Sequence, residues 1–191
     1  MKITLVRHAE VIEEYQGKYN GHIDIPLSSN GKKQAKELAD ELQEIKFDKI
    51  YCSDLLRARE TLNAFDYKVE PTYSKNLREK SWGRHEGKSF NEIQDEGIKY
   101  NDFQQWISSL DGEDIHLYKS KIKEYFYKTI FKLHCNNVLI ITHSGVIKTL
   151  ISIIKNISLE ESFAITLPYA SDIVLDTTNM TFIGLEDLIG H

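Results

Sequence analysis

Histidine and arginine residues follow three separate apolar runs of this sequence, at or just beyond the point where each run ends. The residues and the runs before them are Arg7 and His8 after 3–6, Arg57 after 49–52, and His143 after 137–142. An imidazole can act as a nucleophile or carry a proton, and a guanidinium is a permanent planar cation that binds oxyanions through two parallel hydrogen bonds. If the three ends meet, they form a pocket for an anionic ligand. Histidine is also a common polar turn residue after a strand, so the pattern alone leaves both interpretations open.

The three apolar runs are predicted to be strands of one sheet. The run 137–142 is apolar almost throughout, which suits a strand that is buried on both faces. Two stripes of apolar residues at helical spacing, within 28–45 and 146–154, predict helices between and after these strands. Alternating strands and helices indicate a three-layer α/β/α fold with a mainly parallel sheet, in which ligands bind at the carboxyl ends of the strands.

The segment from about 82 to 133 does not follow this alternation. It is polar, rich in aromatic residues and without a clear strand, and we interpret it as a helical insertion over the active site. Two ordinary surface helices would give the same pattern. Residues 172–175 and 181–183 predict a closing hairpin. Because neither a linker nor an internal repeat is evident, a single domain over 1–191 is expected.

Composition narrows the classes of function. The net charge of −5 provides no basic field for nucleic acid, and no apolar stretch is long enough to span a bilayer. The two cysteines, Cys52 and Cys135, lack the spacing of a disulfide framework, and no signal peptide is evident at the start of the chain. We therefore expect a cytoplasmic protein that binds neither nucleic acid nor membrane. The sequence leaves the oligomeric state open between monomer and homodimer.

Five motifs in order resemble those of the histidine phosphatase (phosphoglycerate-mutase-like) superfamily. They are the Arg-His-Ala-Glu motif at 7–10, the Gly-x-x-Asp-x-Pro-Leu-Ser segment at 21–28, the second arginine motif at 53–58, the acidic motif at 77–87, and the Thr-His-Ser-Gly motif at 142–145. The resemblance implies a phosphatase that uses a histidine as its nucleophile and needs no metal or cofactor. Consistent with this, the histidines show no metal-ligand spacing.

The resemblance also implies a role for each matching residue. His8 would attack phosphorus and form a phosphohistidine, while Glu79 would protonate the leaving oxygen and later activate water. The phosphoryl oxygens would be bound by the remaining residues of the motifs, namely Arg7, Arg57, His143 and Ser144. The neighbouring guanidinium of Arg78 would weaken Glu79 as an acid, so we expect Arg78 to point away from it.

The substrate is expected to be a small phosphate ester. The segment 15–22 is similar to that of α-ribazole phosphatases, which favours α-ribazole 5′-phosphate over phosphoglycerate. Tyr15, Gly21, His22 and Trp82 are therefore predicted to contact the substrate, and Trp82 or Trp106 could stack on a base-like leaving group. Three alternatives remain: a broad-specificity or phosphoserine-type phosphatase, a phosphoglycerate mutase, and a non-catalytic phosphate-binding relative.

Two residues depart from the family pattern. Ala9 stands where glycine is usual, which adds a methyl group beside His8 and removes easy access to positive φ. Glu14 occupies the position of an asparagine that touches phosphate in many members, and we expect its carboxylate to face elsewhere.

Overall fold

A six-stranded mixed sheet forms the centre of the protein in a computed structural model that describes residues 1–186. Its strands, together with those of a separate two-stranded ribbon formed by β2 and β5, are β1 (Lys2–Arg7), β2 (Lys18–Tyr19), β3 (Lys49–Ser53), β4 (Thr72–Ser74), β5 (Lys88–Ser89), β6 (Asn137–Thr142), β7 (Asp172–Asp176) and β8 (Thr181–Ile183). In the main sheet the order is β4-β3-β6-β1-β7-β8.

The strand directions confirm the predicted mainly parallel sheet. Strand β6 pairs in parallel with β1 on one side and with β3 on the other, and β4 extends the parallel part at the β3 edge. Strand β7 runs antiparallel to β1, and β8 returns antiparallel to β7, which is the predicted closing hairpin. The parallel strands β1, β3 and β6 therefore deliver the residues that follow them to the same edge of the sheet.

Helices cover both faces of the sheet. They are α1 (Ser29–Glu41), α2 (Leu56–Leu62), α3 (Phe90–Asp95), α4 (Phe103–Ser109), α5 (Ile115–Lys128), α6 (Ser144–Lys155) and α7 (Leu159–Ala164). Helices α1 and α2 pack on one face, whereas α5 and α6 pack on the other. The α1 helix begins within the predicted range. Ser28 caps it, because its side chain accepts a hydrogen bond from the backbone N–H of Gly31. No helix within residues 1–186 is both long and apolar enough to cross a membrane.

Alternation along the strands divides the core into two clusters. On β6, Val138 and Ile140 face the cluster under α5 and α6, while Leu139 and Ile141 face the cluster under α1 and α2. Side chains of a strand point alternately to opposite faces, so a strand that is apolar at every position is buried on both sides. This burial fixes the register of β6 and, with it, the position of His143.

The segment 82–133 is largely helical and contains α3, α4 and α5. It also contains β5, which the sequence did not predict, and which pairs antiparallel with β2 through Lys18↔Ser89 and Tyr19↔Lys88. This ribbon joins the start of the insertion to the chain just before Gly21.

Candidate active site

A cavity of about 220 Å³ lies where the carboxyl ends of β1 and β6 meet the N-terminus of α6. Charged and polar residues from β1, α2 and the loops around them line it beside several aromatic rings. The lining residues are Arg7, His8, Lys18, Tyr19, Asn20, Gly21, Arg57, Glu79, Trp82, Ser144, Gly145, Phe163 and Tyr169. The N-terminus of a helix carries unpaired N–H groups and a partial positive charge, so α6 adds to the attraction of the arginines for an anion.

The surroundings of His8 favour a neutral imidazole, whose Nε2 makes no hydrogen bond within residues 1–186. Its backbone N–H donates to the carbonyl of Thr142 at 2.9 Å, which fixes the residue at the end of β1. Its Nδ1 lies 2.8 Å from the carbonyl oxygen of Ala9, and since a carbonyl only accepts, Nδ1 carries the proton. Burial, followed by the guanidinium charges of Arg57 and Arg7, holds the pKa of His8 well below its ordinary value of 6.5. The unprotonated Nε2 can therefore act as a nucleophile at neutral pH.

Two guanidinium groups lie beside this imidazole. Arg57 is buried, and its Nη1 and Nη2 donate to the carbonyls of Ile23 at 2.9 Å and Gly21 at 2.7 Å. Burial lowers the pKa of Arg57 to about 10, so it remains charged at neutral pH.

Arg7 is the second of these cations. It donates through Nη1 to the carbonyl of Leu167, and its guanidinium carbon lies 4.0 Å from the centroid of the Tyr169 ring. Among residues 1–186 no carboxylate forms an ion pair with either cation, so their charge remains available to a ligand anion.

His143 lies behind His8 rather than on the wall of the cavity. The two ring centroids are 5.2 Å apart, and Nε2 of His143 lies 2.7 Å from Oγ of Ser53. The pKa of His143 lies well below 6.5, mainly because the ring is buried and also because the charge of Arg57 is close. Its Nδ1 is buried and has no hydrogen-bond partner among residues 1–186. Its capacity for one further hydrogen bond is therefore unused within this part of the chain.

The Glu79 carboxyl group is oriented by two backbone N–H groups. Oε1 accepts from Lys80 at 2.9 Å, and Oε2 accepts from Gly145 at 3.0 Å. A Cβ atom on Gly145 would lie 1.9 Å from Oε1, so this close approach requires glycine. Arg78 points away from Glu79, as expected, and makes a two-point ion pair with Asp54 at 2.7 Å for both contacts.

The backbone of the acidic motif is held at three successive carbonyls. Thr142 Oγ1 donates to the carbonyl of Leu77 at 2.7 Å, and the Tyr118 hydroxyl donates to that of Arg78 at 3.1 Å. The third contact is made by His22, whose Nε2 lies 2.9 Å from the carbonyl oxygen of Glu79 and is therefore protonated. These bonds position Glu79 against the first turn of α6.

Two predicted substrate contacts differ from the structure. Gly21 and Trp82 line the cavity, but Tyr15 and His22 do not. The His22 ring instead donates to the Glu79 carbonyl. The Tyr15 ring lies 3.5 Å from the position that a Cβ on Gly87 would occupy. The turn through residues 15–21 presents other side chains to the cavity, namely Lys18, Tyr19 and Asn20.

Both departures from the family pattern leave the cavity unobstructed. Ala9 is fully buried and packs with Leu27 and Ala35, so its methyl group contributes to the core. Its φ lies outside the positive range, which removes the need for glycine at this position. Glu14 is exposed in a short 3-10 turn and does not line the cavity, as expected.

Six lining residues were not predicted from the sequence, namely Lys18, Tyr19, Asn20, Gly145, Phe163 and Tyr169. Phe163 and Tyr169 follow from the return of the chain over the cavity after α6, and no local pattern marks this return. Lys18 was missed because a lone lysine in a polar loop has no distinguishing signal. Its Nζ lies 3.9 Å from Oε2 of Glu92. Within residues 1–186, no group of three or more histidine, cysteine, aspartate or glutamate side chains is arranged to hold a metal ion.

Comparison with known proteins identifies several relatives. A family model described as "Histidine phosphatase superfamily (branch 1)" matches residues 3–184. The chain is 29% identical over 159 residues to the adenosylcobalamin/α-ribazole phosphatase of Escherichia coli. This match covers 80% of this chain and 78% of the relative.

Two solved structures share the fold. The α-ribazole phosphatase of Shigella flexneri superposes with a TM-score of 0.82 at 24% identity, over 95% of this chain and 93% of the other. A phosphoserine phosphatase from Entamoeba histolytica, in complex with 3-phosphoglyceric acid, has a TM-score of 0.77 at 24% identity over the same shares of the two chains.

Proposed function

Because the chain belongs to branch 1 of the histidine phosphatase superfamily, we propose that it is a phosphomonoesterase that acts through a phosphohistidine at His8. The observation that carries this proposal is the state of the His8 imidazole. Its Nδ1 donates to the Ala9 carbonyl, and its low pKa keeps Nε2 unprotonated beside Arg7 and Arg57. A neutral imidazole fixed next to two cations is suited to attack the phosphorus of a bound phosphate monoester.

The reaction proceeds in two displacements. Nε2 of His8 forms a bond to phosphorus as the bond from phosphorus to the ester oxygen breaks, and Glu79 gives its proton to that oxygen. Water then attacks the phosphohistidine, the phosphorus–nitrogen bond breaks, and Glu79 takes the proton from the water. The products are an alcohol and inorganic phosphate. Arg7 and Arg57 balance the charge on the transferring group, and the Nδ1–H of His143 donates a hydrogen bond to it.

For the substrate we propose α-ribazole 5′-phosphate. Support comes from the similarity to the α-ribazole phosphatase of Escherichia coli and from the aromatic rings of Tyr19, Trp82 and Phe163 on the cavity wall. The carboxylate of Glu86 does not disfavour acidic substrates, because Glu86 does not line the cavity. Its Oε1 accepts from the backbone N–H groups of His22 at 2.9 Å and Trp82 at 3.2 Å and so serves to join two loops.

A small phosphorylated acid such as phosphoserine is a second candidate, favoured by Lys18. Lys18 lines the cavity, and its ammonium group could pair with a substrate carboxylate. Within residues 1–186 its acidic neighbour is the exposed Glu92, whose Oε2 lies 3.9 Å from Nζ. Lys18→Met would then lower kcat/KM for phosphoserine and leave that for α-ribazole 5′-phosphate nearly unchanged.

A panel of substrates assayed by phosphate release tests both levels of the proposal. We expect wild-type protein to hydrolyse α-ribazole 5′-phosphate with the highest kcat/KM among that ester, phosphoserine and 3-phosphoglycerate. His8→Asn should be inactive on all of them. Equal turnover of the small acids would refute the proposed substrate but not the phosphatase activity. Activity of His8→Asn would refute the phosphohistidine mechanism.

A further inference from the structure

An aromatic cleft of about 390 Å³ adjoins the catalytic cavity. Tyr19, Trp82 and Phe163 line both spaces, so the cleft begins where the wall of the cavity ends. Farther out, the cleft is bounded by α4 and by the chain just before that helix. A ligand whose phosphate lies against His8 would have to pass these three rings to leave the cavity on this side.

The outer part of the cleft exposes aromatic surface that the fold does not cover. Tyr100 is 46% exposed and Phe90 is 37% exposed, and their ring centroids are 6.0 Å apart. Phe103 is partly exposed and lies with its ring centroid 5.6 Å from that of Phe163. Large apolar side chains that share an open cleft usually mark a binding site.

The two tryptophans of the cleft are buried and held in place by other residues, so they offer little surface to a ligand. Trp106 is 3% exposed, and its Nε1–H donates to the Tyr19 hydroxyl at 2.8 Å. Trp82 is also buried, with the ammonium nitrogen of Lys80 4.0 Å from its ring centroid and Tyr19 packed edge-on at 5.0 Å. The expected stacking of a base on Trp82 or Trp106 therefore has to be reassigned to the open rings of Phe103 and Tyr100.

We propose that this cleft binds the leaving group of the substrate through a planar apolar ring, which makes it the determinant of substrate class. The inference rests on the proposed phosphatase function. Glu160 is the only charged residue on the cleft wall within the described part of the chain, so a second phosphate or a carboxylate would be repelled there. A benzimidazole or similar base, joined to the phosphate by a sugar, combines an anionic end for the arginines with an uncharged planar end for the cleft.

The sharpest test compares two esters that differ only in the base, α-ribazole 5′-phosphate and ribose 5-phosphate. Both have a primary alkyl oxygen as the leaving atom, so their chemical steps are matched. Wild-type protein should favour the ester with the base by about tenfold or more in kcat/KM. Tyr100→Ala should reduce that ratio by roughly twofold to tenfold, the effect of losing one aromatic stack. Tyr100→Phe should restore the ratio.

Tyr127 offers a matched control, because it is a tyrosine of similar exposure (42%) on α5 that does not line the cleft. Tyr127→Ala should leave the ratio as in wild type, and the melting temperature of both alanine variants should show that they are folded. A ratio near one in wild-type protein, or a ratio unaffected by Tyr100→Ala, would refute the cleft assignment while the phosphatase stands. Failure of wild-type protein to release phosphate from either ester and from phosphoserine would instead refute the proposed function.

Binding of the free nucleoside gives a readout independent of turnover. In a titration calorimeter, α-ribazole without phosphate should bind to His8→Asn protein, and the Tyr100→Ala substitution in that background should weaken binding by a similar factor. Equal affinity in both proteins would contradict a ring-binding cleft.

Discussion

Gly145→Ala should inactivate the protein through Glu79 without weakening the fold. The added Cβ would lie 1.9 Å from Glu79 Oε1, whereas ordinary contact begins at 3.4 Å, so the carboxyl group must move by about 1.5 Å. That movement also breaks the 3.0 Å hydrogen bond from the Gly145 N–H to Oε2. A displacement of about 1 Å in a catalytic group can cost about 10²-fold in rate, so we expect kcat for alkyl phosphates to fall by that amount or more.

The assay is steady-state phosphate release from an alkyl and an aryl phosphate, with thermal unfolding as a control. The loss in kcat/KM, which reports formation of the phosphohistidine, should be smaller for the aryl ester, whose leaving group needs less help from an acid. The melting temperature should not fall, because alanine is the better helix former and Gly145 does not use the left-handed conformation.

A double-mutant cycle with Glu79→Gln separates this mechanism from a general disturbance of α6. If the added methyl group acts only by moving Glu79, the two losses will not add. Additive losses, or wild-type kcat for Gly145→Ala on the alkyl ester, would refute the reasoning.

Three further predictions concern the same site. Glu79→Gln alone should lower kcat/KM for alkyl phosphates by about 10²–10⁴, the range of general acid–base catalysis, because kcat/KM reports the formation of the phosphohistidine; an equal loss of kcat/KM on aryl phosphates would assign the acid to another residue. Chelators should leave phosphate release intact, because the guanidinium groups of Arg7 and Arg57 supply the positive charge; activity that disappears in EDTA and returns with magnesium would oppose this. In an NMR titration, the His8 ring should stay neutral as the pH falls through 6.5, because burial and the two guanidinium groups lower its pKa, and a midpoint at or above 6.5 would be inconsistent with them.

The parts of the fold that the sequence predicted are those with strong burial. Strands β1, β3 and β6 are buried along most of their length, so their apolar runs stand out from the surrounding sequence. Helix α6 carries a broad apolar face for the same reason. Once these elements are assigned, the rule that ligands bind at the carboxyl ends of parallel strands brings His8 and His143 together.

The ribbon of β2 and β5 could not be predicted in this way. Each strand has two residues, and their pairing joins positions about 70 apart in the chain, so no local periodicity exists to detect. The orientation of the turn before Gly21 depends on this pairing and on positive φ at Gly17 and Gly21. For that reason the sequence predicted substrate contacts for Tyr15 and His22, whereas in the structure Tyr19 lines the cavity.

Residue identity also could not indicate which aromatic rings remain open. Trp82 and Trp106 are the largest side chains of the insertion, and both are buried by contacts with distant residues such as Tyr19. Phe163 reaches the cavity only because α7 packs against α6 and returns the chain toward β1. Exposure of this kind is set by tertiary packing and has no local sequence signal.

Rapid quenching of the reaction with ³²P-labelled substrate tests the phosphohistidine mechanism most directly. Within the first turnover, wild-type protein should carry up to one labelled phosphate per chain, stable in alkali, lost in acid, and located by peptide mapping at His8. With a labelled aryl phosphate, whose leaving group needs little help from an acid, Glu79→Gln should accumulate this species, because the same group is needed to activate the attacking water. Single-turnover release of phosphate by wild-type protein with no labelled chain at any time, or a label on a residue other than His8, would contradict the account.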